Sequence, residues 1–260
     1  MGESLAVLQL SDLHLSERPG TRVQGVDADA GFNAAVDDAL GRRRPDAILL
    51  TGDLSHDGSA ASYQRIAGRL GTLGAPVLVL PGNHDDPATL RRVLSSEPFC
   101  TGPSVILGAW QLLLLDSTVR GETTGRLDAA ALDALEGELH RGSTPNVLVC
   151  LHHPPVAIGT PWMDALGLQQ PAPLLDCLAC HPRVRGVVFG HIHQEYAGAI
   201  HGIPLLGSPA TCCQFRPGTP DMQLDTLPPG YCWLDLGAGG ALASRVRYAG
   251  SPASGPALAP

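Results

Sequence analysis

Short apolar runs recur along the chain, each separated from the next by room for one amphipathic stretch, and this alternation constrains the fold more than any other feature. LAVLQL, AILL and VLVL are separated by AGFNAAVDDALGRR and ASYQRIAGRLGTL. Runs of about four to eight apolar residues bounded by turn residues read as buried strands, whereas apolar residues three and four apart read as one face of a helix. The order is β-α-β-α-β, which predicts a sheet with helices on both faces. Further strands are expected at VIL, WQLLLLD, NVLVCLHH and VRGVVFGH, with a helical pattern over 127–141 between the second and third. From about residue 197 the punctuation changes. AGAIHGIPLLG, SPATCCQF, GYCWLDL and SRVRYA are short and bounded by Gly and Pro, which predicts antiparallel strands closing the fold.

A chain of 260 residues fits one large α/β domain, expected over 1–250, with the small-residue stretch 251–260 as a loose tail. With 31 Gly and 23 Pro, tight turns between buried strands are favoured over long solvated helices. The formal charge of −8 argues against a nucleic-acid or anionic-membrane partner, because Lys and Arg hold such partners; a small anion held through metal ions remains compatible. No run approaches the roughly 20 apolar residues of a membrane span, and MGESLAVLQLSDLH lacks the basic start and apolar core of a signal peptide, so a cytoplasmic protein is expected. Monomer and dimer both fit the sequence. Seven cysteines, an odd number, make a poor disulfide framework and are expected to be reduced core residues. Cys177 and Cys180 form a CxxC, but no second pair follows at zinc-ribbon spacing, which places them on a packed helix face. Pro154–Pro173 is apolar and Pro-rich without a clear period, a candidate lid or wall over a site.

The chemistry lies where the apolar runs end. Asp12 and His14 follow LAVLQL, Asp53 follows AILLTG, Asn83 and His84 follow VLVLPG, His152 follows NVLVCL, and His191 and His193 follow GVVFG. Ligands of α/β sheets bind outside the carboxyl ends of the strands, where residues distant in sequence converge. Imidazole with carboxylate suits iron, manganese or zinc, whereas an all-oxygen set would suit magnesium or calcium. Asp53 stands as a lone carboxylate between the other groups in chain order and is the candidate bridge between two ions. Asp12 and His14, two apart in extended chain, would face the same way and clasp one ion. Each fragment alone reads better as a turn or a satisfied histidine than as a ligand; their joint, ordered occurrence after apolar runs predicts a metal site.

SDLH, GDLS, PGNHD, LHHPP and GHIH, spanning residues 11–193, resemble the ordered signature of the calcineurin-like metallophosphoesterases. The resemblance implies a four-layer αββα sandwich, two mixed β-sheets flanked by helices, in place of one open sheet. It implies Asp12, His14, Asp53 and His193 as ligands of one metal ion, and Asp53, Asn83, His152 and His191 as ligands of the other. The stretch LLGSPATCCQFRPGTPDMQLDTLPPGYCWLDL is similar to the tail of the bacterial cyclic 3',5'-AMP phosphodiesterases of this superfamily. That similarity implies cAMP as substrate, AMP as product and two divalent ions, Fe2+ or Mn2+ ahead of Zn2+. The superfamily's serine/threonine protein phosphatases carry a second aspartate in GDxxDRG, and His56 stands at that position here, which argues against that branch. Whether Asp57 or Asp85 then orients the catalytic histidine stays open.

A phosphodiester resists hydrolysis because its charge repels the nucleophile and its alkoxide is a poor leaving group. Two cations about 3.5–4 Å apart would neutralise that charge and acidify a shared water, held through Asp53. His84, beside Asn83 and not needed as a ligand, would protonate the leaving O3'. His14, Asp53, Asn83, His84, His152 and His193 are expected to line the phosphate. His56, His140, His153, His181 and His201 are expected at the surface or behind the ligands. A phosphodiesterase for other small diesters, such as glycerophosphodiesters, would share every ligand. A non-catalytic binding module would be expected to have lost some of them.

Overall fold

The computed structural model describes residues 4–251; all but Ser251 of the expected tail falls outside the described residues. Two six-stranded sheets dominate. In the first the order is Leu242–Tyr248, Gly230–Leu236, Leu5–Leu10, Ala47–Thr51, Val77–Leu80, Phe99–Cys100. The last four run parallel and the C-terminal hairpin adds antiparallel to Leu5–Leu10. In the second the order is Tyr196–Ile200, Ile203–Gly207, Val184–Phe189, Asn146–Cys150, Trp110–Leu114, Ser104–Leu107, with four parallel strands in the middle and an antiparallel strand at each edge.

The period-2 geometry of these strands sorts their side chains into layers. Ile48 and Leu50 pack with Phe32, Val36, Tyr63 and Ile66 of helices Ala28–Arg42 and Ala60–Leu70. Their neighbours Ala47 and Leu49 face the other way, into a core shared with Leu148, Cys150 and Val188 of the second sheet. Val147 and Val149 point outward again, onto helices Ala129–Arg141 and Ala172–Ala179. Each fully buried Leu of these layers contributes about 1.5–3 kcal/mol of transfer free energy. Helices therefore cover only one face of each sheet, and the other faces cover each other. This is the sandwich that the sequence resemblance implies, and it replaces the single open sheet suggested by local alternation.

Other local expectations are corrected. SPATCCQF forms no strand, only an isolated bridge at Phe215 to Leu224. Its amides are used elsewhere: Thr211 N–H donates to Ser11 O, Cys212 N–H to Asp12 O and Phe215 N–H to His193 O. A short helix, Pro87–Val93, also escaped the periodicity, although Asp86 as N-cap and Pro87 as first helical residue are its ordinary start signals. All seven cysteines are free; Cys177 packs, partly buried, against the outer core as expected, whereas Cys180 at the end of that helix is exposed, so only half of the CxxC lies on the packed face. Among the described residues no helix is long and apolar enough to cross a membrane.

Candidate metal centre

Five loops, each following a parallel strand, meet at one edge of the sandwich. Asp12 N–H donates to Gly52 O and His14 N–H to Asp53 O, so the first two loops are laced together by their main chains. Asp12, His14, Asp53, His191 and His193 all have positive φ, between 49° and 70°. The expected extended geometry for Asp12 and His14 is thus wrong: the strand ends at Leu10, and a left-handed turn aims both side chains. Such backbone costs about 1–3 kcal/mol per residue and persists where the surroundings over-determine it. Gly82 shows how close the loops come. A Cβ there would lie 2.2 Å from Asp53 Oδ1, so only glycine lets the Asn83 loop cross the carboxylate.

Asp53, 2% exposed, divides its two carboxylate oxygens. Oδ2 faces His14 Nε2 at 3.6 Å, and Oδ1 faces His152 Nε2 at 3.4 Å. On the first side His14 Nε2 lies 3.2 Å from His193 Nε2, which lies 3.4 Å from Asp12 Oδ1. On the second side His152 Nε2 lies 3.2 Å from both Asn83 Oδ1 and His191 Nδ1. The seven sequence-derived candidate ligands are thus all brought together, in the two groups the resemblance implies.

Whether these residues fit metal ions can be judged from their hydrogen bonds. His152 Nδ1–H donates to Thr51 O at 2.8 Å and His193 Nδ1–H to Cys213 O at 2.7 Å. In the neutral rings each Nε2 then carries a lone pair aimed at another imidazole or at a carboxylate. Buried lone pairs facing lone pairs are unfavourable unless a cation lies between them. Protons can play that part. Although burial opposes charge, the Asp53 carboxylate raises His152 to about 9 and Asp12 raises His193 to about 10. Burial would raise Asp53, but the charge and hydrogen bond of His152, then the charge of His14, hold it well below the usual range. Burial drives His14 and His191 down to about 3, leaving neutral donors, and His191 Nε2 has no hydrogen-bond partner. Imidazole with carboxylate in a dry site fits two borderline divalent ions.

His84 sits at the mouth, partly exposed, where its main-chain N–H donates to Asp53 Oδ1 at 2.9 Å. Its Nδ1 lies 3.2 Å from the main-chain oxygen of His56, and the two rings stack with centroids 4.9 Å apart. Neither aspartate orients it. Asp57 accepts from Glu17 N–H, Ser59 N–H and Ser55 Oγ–H. Asp85 accepts from the N–H groups of Leu54, Ser55 and Gly82 and from Tyr63 O–H, tying the Asp53 and Asn83 loops together. Burial, then the Asp53 charge, pushes Asp85 up to about 6 against those three amides. His153 is fully buried, with Nδ1 2.8 Å from Ser117 Oγ, and supports the floor behind His152 and His191. Val23, Met163, Leu166, Phe215 and Met222 line the pocket beside the histidines, so Pro154–Pro173 does supply part of a wall. The Phe215 ring lies flat on His193 at 4.3 Å and meets Trp162 edge-on.

A curated relative, 3',5'-cyclic adenosine monophosphate phosphodiesterase CpdA of Pseudomonas aeruginosa, is 39% identical over 245 residues, 94% of this chain and 89% of its own. CpdA of Escherichia coli K12 is 36% identical over 243 residues, covering 93% and 88%. Among solved structures, a dimetal phosphatase from Danio rerio superposes with a TM-score of 0.68 over 95% of this chain and 97% of its own; at 14% identity the likeness is one of fold. The pattern of the calcineurin-like phosphoesterases matches residues 5–195, the stretch that contains all five of the convergent loops. On that match, the chain belongs to the calcineurin-like phosphoesterase family.

Proposed function

We propose that the protein hydrolyses 3',5'-cyclic AMP to 5'-AMP at a centre of two divalent metal ions. Asp53 would bridge them, with Asp12, His14 and His193 completing one ligand set and Asn83, His152 and His191 the other. The observation that carries this reading is the division of Asp53, one oxygen toward each set. The substrate rests on the two CpdA relatives, which align with 93–94% of the chain. Iron or manganese is the expected native pair, ahead of zinc, on the similarity to the cyclic 3',5'-AMP phosphodiesterases; imidazole with carboxylate suits all three.

When bound, the ions supply positive charge to the phosphodiester oxygens and lower the pKa of water. The chain's own groups do the rest. The His56 carbonyl takes Nδ1–H of His84 and leaves Nε2 as the nitrogen that delivers a proton to O3' as the P–O3' bond breaks. Met163, Leu166, Phe215 and Met222 offer a flat base an apolar surface beside the phosphate. With every cysteine unpaired, the chain suits a reducing compartment, and we place it in the cytoplasm.

The test is a turnover panel. Metal-free enzyme reconstituted with iron, manganese or zinc is given cAMP, cGMP, 2',3'-cyclic AMP and bis(p-nitrophenyl) phosphate. The expected result is the highest kcat/KM on cAMP among the natural diesters, with 5'-AMP as sole product. Turnover of the aryl diester without turnover of cAMP would assign the centre to another substrate.

A further inference from the structure

On the outer face of the second sheet, helix Ala129–Arg141 packs beside helix Ala172–Ala179. Glu136 and His140, one turn apart on the first, meet His181 just beyond the second. One carboxylate oxygen and one nitrogen of each imidazole all lie within 4.8 Å of one another. We propose that Glu136, His140 and His181 form a surface site, separate from the catalytic centre, for one divalent cation of the zinc type.

The chemistry is set up for a lone-pair acceptor. His140 Nδ1–H donates to the main-chain oxygen of Glu136 at 2.9 Å, which leaves Nε2 unprotonated in the neutral ring. The two rings meet edge to face, with centroids 4.8 Å apart. The neighbouring arginines have other partners. Arg183 donates to the main-chain oxygens of Thr144 and Leu139, and Arg141 pairs with Glu138. Two imidazoles and a carboxylate select zinc and its transition-metal neighbours over magnesium or calcium. Zinc–nitrogen bonds of about 2.0–2.1 Å require the donors to draw together, which the exposed Glu136 and His140 can do by side-chain rotation. A bound ion would fasten the two helices to each other. The second helix follows directly on the segment that brings Met163 and Leu166 to the catalytic pocket.

Full-length enzyme and its His140→Ala/His181→Ala variant are dialysed to equilibrium against zinc, with and without a large excess of magnesium, and metal per chain is measured. The wild type should hold one zinc more than the variant, magnesium should not displace it, and zinc should raise the melting temperature of the wild type more. Equal zinc contents, or displacement by magnesium, would overturn the site. Unchanged cAMP turnover certifies that the variant is folded; if it is not, Glu136→Gln, an exposed substitution, is read in the same way.

Discussion

His152, His191 and His193 are no more than 6% exposed, whereas His84 is partly open to solvent and His56 exposed. The floor and the mouth of one centre are thus built from the same side chain in opposite settings. On the floor, the Thr51 and Cys213 carbonyls fix two rings so that each Nε2 points at a carboxylate or another ring. Such a buried ring is placed to hold a cation rather than to trade a proton with water. At the mouth a carbonyl again fixes Nδ1 of His84, but its ring lines the pocket. On the proposed roles, the same hydrogen bond would make a ligand in one place and a proton donor in the other, with access to solvent deciding which.

Removing the group both halves share should have the largest effect. Asp53→Ala is expected to lose both ions and all measurable turnover; two full equivalents by elemental analysis would deny the bridge. His84→Ala should separate floor from mouth. It should keep both ions yet lose about 10²- to 10⁴-fold in turnover of cAMP, and far less on an aryl ester whose leaving group needs no proton. Equal losses on both substrates would remove His84 from the acid role.

Strands and donors were legible because five apolar runs each end in Asp, Asn or His, and a strand end is where an α/β fold binds its ligand. What escaped was carried by groups without a side-chain signature. The group that fixes His84 is the main-chain oxygen of His56, while the two aspartates open to that role bind amides instead. The full burial of His153 is equally silent, since HHPP reads the same exposed or enclosed. Alternation of runs reports a helix between two strands, not what covers the opposite face, so the sandwich needed the resemblance. SPATCCQF failed as a strand because its amides answer the metal loops rather than a neighbouring strand.

Smaller effects sharpen the boundary between the two regions. Asp85→Ala would leave three N–H groups and Tyr63 without their acceptor, a loss of about 1–3 kcal/mol that urea unfolding should detect. Unchanged stability would mean that the loops are held together by other contacts. His56→Ala keeps the carbonyl that fixes His84 and removes only the stacked ring. At about 0.5–1.5 kcal/mol for such a stack, turnover should fall at most about tenfold with metal content unchanged. A loss as large as that of His84→Ala would assign the ring, not the carbonyl, as the positioning group.

One carboxylate joining two metal ions would show most directly in the paramagnetic resonance of the wild-type enzyme loaded with manganese. Two equivalents per chain with an exchange-coupled spectrum are predicted, because the two oxygens of Asp53 face two ligand sets. One equivalent, or two manganese ions whose spectra are those of isolated ions, would contradict it.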